Sequence, residues 1–295
     1  MFDYRYHALS LAAVLLALAV GLVIGIAIGD SSLVSSAKSG IVHDLSSELS
    51  SAHNQESELR QKVARAEAFS NDLYPIAVHG LLTGQSIGLV FLGSSSDRVN
   101  GLVRDAVTQA GGDLATVIAV REPLDLSGVA AEAAGTHYAG LAGSPSLVER
   151  FGMLVGRQLV SGGQLVNQEL LSRVRGGLLS AFDGQLGKLQ GLVVMRSQPT
   201  EMTAQQSQAL ASFQSGMIDG VAAVGVPTVG VELTTTEPSQ VSRYEGQNNS
   251  SVDDLDATAG QAALIYALTG SHGAYGIKSS SDSLLPEVGG AATQP

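Results

Sequence analysis

The chain contains no cysteine and no tryptophan, and aromatic residues make up only 4% of its 295 residues. Without cysteine there is no disulfide, no thiolate metal site and no cysteine nucleophile. The absence does not fix the compartment, although it suits an extracytoplasmic location, where a stray thiol is a liability. The scarcity of aromatics argues against an aromatic-girdled surface. Charge is also sparse, at 15% of the residues, and its balance is acidic, at −11. An acidic chain repels nucleic acid and anionic headgroups, so no nucleic-acid partner is expected. What is abundant is small and apolar. The hydrophobic share is 44%, with 35 glycines, which fits a packed α/β core with many tight turns. Setting aside about 30 residues for an anchor and as many for a stalk leaves roughly 200 to 230, enough for one large α/β domain or two small ones.

Ala8 to Gly29 reads ALSLAAVLLALAVGLVIGIAIG, without one ionisable residue. At about 1.5 Å per residue this run reaches about 30 Å, enough to cross a hydrocarbon core. A cleaved signal peptide usually has an apolar core of about 7–15 residues. The longer run here favours a retained anchor, while Ser35-Ser36-Ala37 keeps cleavage open as the competing reading. Arg5 before the run and Asp30 after it place the N-terminus in the cytoplasm and the bulk outside: a single-pass protein of the cell membrane with an extracytoplasmic globular domain. Ala13, Ala17, Gly21, Gly25 and Gly29 recur every four residues. Such a stripe lets two helix backbones approach closely, although membrane helices are rich in small residues in any case.

A second helical stretch follows. With position a at Val42, the a and d positions read Val42, Leu45, Leu49, Ala52, Glu56, Leu59, Val63, Ala66, Ser70 and Leu73, with Glu56 and Ser70 as polar interruptions. A short coiled coil behind a small-residue membrane helix implies a parallel homodimer. The alternative is one amphipathic helix packed on its own domain. Pro75 is expected to close the segment.

Beyond it the pattern alternates. Ser86–Leu92 is a buried strand, and an amphipathic helix follows with Val99, Leu102, Val103, Ala106, Val107 and Ala110 on one face. Gly111-Gly112 ends that helix and Leu114–Val120 is the next strand, completing a β-α-β unit. Ser146-x-x-Glu149 reads as a capping box, a helix is expected from Gln168 to Phe182, and Leu192–Met195 is a strand. Thr203-x-x-Gln206 opens another helix, Val221–Val226 and Val229–Leu233 read as strands, and Ser251-x-x-Asp254 opens the last helix, to Leu268. The expected architecture is a membrane helix over 1–30, a helical stalk over 31–75, an open, largely parallel α/β sandwich over 80–278 and a loose tail over 279–295.

Two places carry candidate site residues. Gly93-Ser94-Ser95-Ser96 joins a strand to a helix, where free backbone N–H groups can meet an anion. Ser94 and Ser95 are the candidates, against the plainer reading that Ser96 is an N-cap. The loop matches neither a dinucleotide fingerprint nor a phosphate loop nor a nucleophile elbow. Asp253, Asp254 and Asp256 offer carboxylates to a hard cation, or simply complement a helix N-terminus. The six histidines do not pair at ligand spacing, and the methionines form no cluster of the kind copper(I) prefers. No nucleophile–base pair is visible, so an enzyme is not expected and no cofactor is assigned.

Two end segments carry a resemblance. Tyr4-Arg5-Tyr6-His7-Ala8-Leu9-Ser10 with the apolar run to Gly21 is one. Ser250-Ser251-Val252-Asp253-Asp254-Leu255-Asp256 with Gly260, then Gly273-Ala274-Tyr275-Gly276 ahead of Leu285-Pro286, is the other. Both, with the β-α-β layout around Gly111-Gly112 between them, are similar to the actinobacterial family of mycobacterial copper transport protein B. The resemblance covers nearly the whole chain. It implies a cell-envelope protein of copper efflux or tolerance, described as an outer-membrane channel, with copper ion as the transported species. It brings no catalytic or copper-binding residue with it. The alternative is a non-enzymatic envelope scaffold or ligand-binding module that dimerises through anchor and stalk.

Overall fold

The computed structural model describes residues 4–29, 31–162, 168–197, 201–247 and 249–287. The chain divides into two compact units, Met1–Glu67 and Ala68–Pro295. Of the tail expected over 279–295, residues 288–295 lie outside the described residues.

The first unit is helical. α1 spans Tyr4–Ile28, and its stretch His7–Ala27 is long and apolar enough to cross a membrane. Its described side chains are all exposed. α2 runs over Ser31–Val78. In its middle, Glu56 pairs with Arg60 at 2.5 Å and Glu58 with Lys62 at 2.9 Å. Glutamate four residues ahead of a cation is the orientation that supports an isolated helix.

Pro75 does not end α2, contrary to expectation; the helix runs through it to Val78. Packing overrides the proline. Tyr74 and Val78, one turn apart, are buried in the core of the second unit, and the Tyr266 hydroxyl donates to the Ala77 carbonyl at 3.0 Å. The heptad residues Val42, Leu45, Leu49, Leu59, Val63 and Leu73 are exposed.

The second unit is an α/β sandwich on one sheet. Its strands are β1 (Ser86–Leu92), β2 (Asp113–Val120), β3 (Leu179–Gly184), β4 (Gly191–Arg196), β5 (Thr228–Val231), β6 (Ser250–Val252) and β7 (Ala274–Tyr275). Their order is β3-β2-β1-β4-β5-β6-β7, parallel throughout except for β3 against β2. Along β1, Ile87, Leu89 and Phe91 enter one core, while Val90 and Leu92 enter the other. Both faces are covered, which is why these strands read as continuous apolar runs. The first core is closed by α3 (Asp97–Gln109), α9 (Thr258–Leu268) and the end of α2. The second is closed by α4 (Leu126–Glu132), α5 (Pro145–Ser161), α6 (Gln168–Leu178) and α7 (Ala204–Ala222). A short α8 (Val241–Glu245) follows β5 and sends Tyr244 into the second core.

Several local expectations change. Ser144, not Ser146, is the N-cap of α5, with Pro145 in the first turn, so the capping box does not form. The helix expected to reach Phe182 stops at Leu178 and becomes β3, an edge strand. Val221 belongs to α7 and Val224 to the turn after it, not to a strand. Short apolar runs suit either state, and α5 supplies the partner that makes this one a helix. The capping box at Thr203 and Gln206 is present as expected.

Candidate functional site

The chain leaves β1 for β2 on one side and later returns to β4 on the other. Where the order reverses, loops diverge and a crevice opens at the carboxyl ends of the strands. The polar candidates lie along this edge of the sheet.

After β1, Gly93 takes φ +109°. A Cβ there would fall 2.0 Å from Ser197 Oγ and 2.3 Å from Glu122 Oε2, so the close approach requires glycine. Ser197 Oγ donates to the Leu92 carbonyl at 3.1 Å, stands 3.5 Å from Glu122 Oε2, and accepts the Ser94 N–H at 3.1 Å. Ser94 and Ser95 are exposed at the mouth of the loop. Ser96 is the N-cap of α3 and accepts the Val99 N–H at 3.3 Å.

Glu122 and Arg196 face each other electrostatically across this crevice. Burial pushes the Glu122 carboxyl up, against the pull of Arg196 and Ser197. Burial and the nearby Arg243 lower Arg196, against Glu122 and Tyr244. Arg196 is held by Nη1 on Gln240 Oε1 at 2.8 Å, and its backbone N–H donates to the Tyr244 hydroxyl at 3.1 Å. The Tyr244 ring lies on Gly230, where a Cβ would come within 2.3 Å of it.

The acidic candidates sit in the loop between β6 and α9, not in the first turn of a helix as expected; α9 begins at Thr258, with Ala257 as its N-cap. Each carboxylate has a different environment. Asp253 is fully buried and accepts the N–H groups of Ile277 at 2.9 Å and Lys278 at 3.1 Å, and the Ser281 hydroxyl. Asp256 accepts the Thr234 N–H at 2.8 Å, the Thr234 hydroxyl at 3.0 Å and Arg98 Nη2 at 3.0 Å. Burial raises the Asp256 carboxyl, but Thr234 and Arg98 outweigh it and hold it below the usual range. Asp254 is fully buried, and neither oxygen has a hydrogen-bond partner on another described residue. Burial, then Asp253 and Asp256, push it up to about 6.

Beside them Glu232 is buried and takes the ammonium of Lys278 at 2.7 Å, the Ser239 hydroxyl at 2.8 Å and the Gln240 N–H at 2.6 Å. Lys278 Nζ also donates to the carbonyls of Thr236 at 2.8 Å and Leu233 at 3.3 Å. This pair is fully hydrogen-bonded, the condition under which a buried ion pair is tolerated. Two glycines of the C-terminal motif complete the clasp. A Cβ on Gly276 would fall 2.0 Å from Asp253 Oδ1, and one on Gly260 would fall 2.1 Å from the Asp254 carbonyl oxygen. The motif is therefore a set of close approaches that ties the last segment to the sheet edge.

Among the described residues, no group of three or more His, Asp and Glu is arranged to hold a metal ion. The serine loop and the acidic loop are separated by β4 and β5 at the sheet edge, roughly 14 Å at the usual strand spacing. Arg98, in the first turn of α3, links them through Asp256. Sequence reading passed over Arg98, Glu122, Arg196, Ser197, Glu232 and Lys278. The available signal was a charged residue at the end of a buried strand run, as at Arg196 after LVVM. In α1, Gly21 and Gly25 have open space where a side chain would stand, and Gly29 lies just past the helix end. Ala13 and Ala17 are exposed.

The family model described as copper transport outer membrane protein, MctB, matches residues 1–286. The proteins named copper transporter MctB of Mycobacterium tuberculosis and Mycobacterium bovis are 30% identical to the chain over 122 residues. That stretch is 41% of this chain and 38% of each relative, so the match spans well under half of either protein. The family match joins the apolar helix, the long helix and the α/β unit in one pattern, and the chain belongs to the MctB family.

Proposed function

We propose that the chain is a membrane-anchored, non-catalytic component of copper transport and homeostasis in the cell envelope, working as a parallel dimer. The observation that carries this reading is the family match over residues 1–286; the name of the mycobacterial relatives supports it. Among the described residues one helix is long and apolar enough to cross a membrane, and a single helix cannot enclose an aqueous path by itself. Copper would therefore pass through an assembly to which each chain contributes one helix, and it is cargo rather than a resident ion. The small-residue stripe of α1 and the exposed heptad seam of α2 are the surfaces suited to build that assembly. We place the helix in the cell membrane and the α/β unit outside it, following the flanking Arg5 and Asp30.

Deletion of the gene should raise cellular copper content and copper sensitivity, and the full chain should restore both. Unchanged content and sensitivity would sink the copper reading. The exposed seam Leu45, Leu49, Leu59 and Val63 favours one second reading, a dimeric envelope scaffold with no copper cargo. That reading gains if deletion leaves copper handling intact while, in the parent cells, the chain crosslinks as a dimer.

A further inference from the structure

Between α5, α6 and the β3 edge lies a cavity of about 470 Å³, of the size that small-molecule sites occupy. Its walls are aliphatic and aromatic, from Ile118, Val155, Leu159, Leu178 and Phe182. Among the buried lining residues, Gln158 breaks the pattern. Gln158 is 2% exposed, and neither its amide oxygen nor its amide nitrogen has a hydrogen-bond partner among the described residues. Leaving both ends of a buried amide unpaired is costly, and leucine or methionine would fill the same position without that cost. An amide in the wall of an apolar cavity offers one donor and one acceptor to a guest. At the mouth, Glu169 and Arg175 bring opposite charges, and the Arg175 guanidinium lies 3.7 Å over the Phe182 ring. The rim thus carries no net charge.

We propose that this cavity binds an uncharged single-chain amphiphile, whose amide or hydroxyl head pairs with Gln158 while its hydrocarbon lies against the apolar walls. A charged head beside Gln158 would exchange water for one amide and apolar walls, a costly desolvation. The absence of tryptophan makes a test direct. Leu186→Trp, at the half-exposed mouth, places a single reporter in the full chain. The protein is reconstituted in phosphatidylcholine vesicles and titrated with oleamide at fixed lipid, with oleate and octadecane as comparators. Oleamide should give a saturable change in emission, with oleate and octadecane at least about tenfold weaker, the worth of one good hydrogen bond. Gln158→Leu in the same background should weaken oleamide about tenfold. That substitution removes an unpaired buried amide, so pulse proteolysis in urea should find it at least as stable as the parent. Weaker binding with unimpaired stability cannot come from misfolding. No saturable response to oleamide, equal binding in the Gln158→Leu protein, or tighter binding of oleate would overturn the proposal.

Discussion

Asp254 shows how burial makes a side chain answer to pH. Its carboxyl is pushed up to about 6 from an ordinary value of 3.8, with burial as the first cause. The folded value lies above the unfolded one, so the fold favours the protonated form. The associated stability is complete below about pH 4 and lost as pH rises through about 6. Asp254→Asn keeps the shape without the charge. It should stabilise the α/β unit by on the order of 3 kcal/mol at about pH 8 and by almost nothing at about pH 4. Pulse proteolysis in urea at both values measures the difference; an equal effect at both would refute the assignment. Asp253 and Asp256 look like the same residue type in the same short motif, yet hydrogen bonds to the Ile277 and Lys278 N–H groups, to Thr234 and to Arg98 satisfy them. Nothing in SSVDDLD distinguishes the three, because their partners lie up to 158 residues away in the chain.

Helices α5 and α7 meet backbone to backbone at their glycines. A Cβ on Gly216 would fall 1.9 Å from the Glu149 carbonyl oxygen, and one on Gly156 would fall 2.0 Å from that of Met217. Gly152 and Gly220 make similar approaches, to Phe213 and Met153. Each helix thus presents glycines four residues apart, one turn of spacing, so the two backbones can lie against each other. Gly216→Ala must push the helices apart and should destabilise the unit by about 1–3 kcal/mol, the usual range for overpacking. Gly101→Ala in α3 has open space and should stabilise by about 0.5–1 kcal/mol through helix propensity alone. Urea midpoints of the two variants, shifting in opposite directions, are the check. α2 presents the reverse case, a seam of exposed apolar residues. Leu49→Lys and Leu59→Lys should reduce the crosslinked dimer several-fold in vesicles, while Asn54→Lys on the outward face leaves it unchanged. Equal crosslinking in all three would remove the coiled-coil dimer.

At the scale of the whole molecule, the proposed arrangement predicts its topology. In intact spheroplasts, external protease should cut the α/β unit and leave the anchor with its short N-terminus protected; protection of the unit would reverse the orientation. Much of the molecule was legible locally. The span Ala8–Gly29, the strand Ser86–Leu92, the N-cap Ser96 and the capping box at Thr203 each depend on residues within a few positions, where hydrophobic period and backbone hydrogen bonding act. β3 was not legible, because a six-residue edge strand with mostly exposed side chains carries too little alternation to outweigh the helical pattern before it. The course of α2 through Pro75 was not legible either, because the burial of Tyr74 and Val78 that sustains it is a tertiary contact. The C-terminal motif stood out as sequence, but its role as a clasp required Gly276 and Gly260 to meet Asp253 and Asp254 in space. The sequence by itself therefore determined an apolar N-terminal helix, a long helix with an apolar seam and a mostly parallel α/β unit. Only the tertiary structure decided which carboxylates are paired, which glycines are contacts and where the cavity beside Gln158 lies. Periodicity is a property of neighbours along the chain, whereas pairing, close approach and enclosure depend on what the fold brings from far along it.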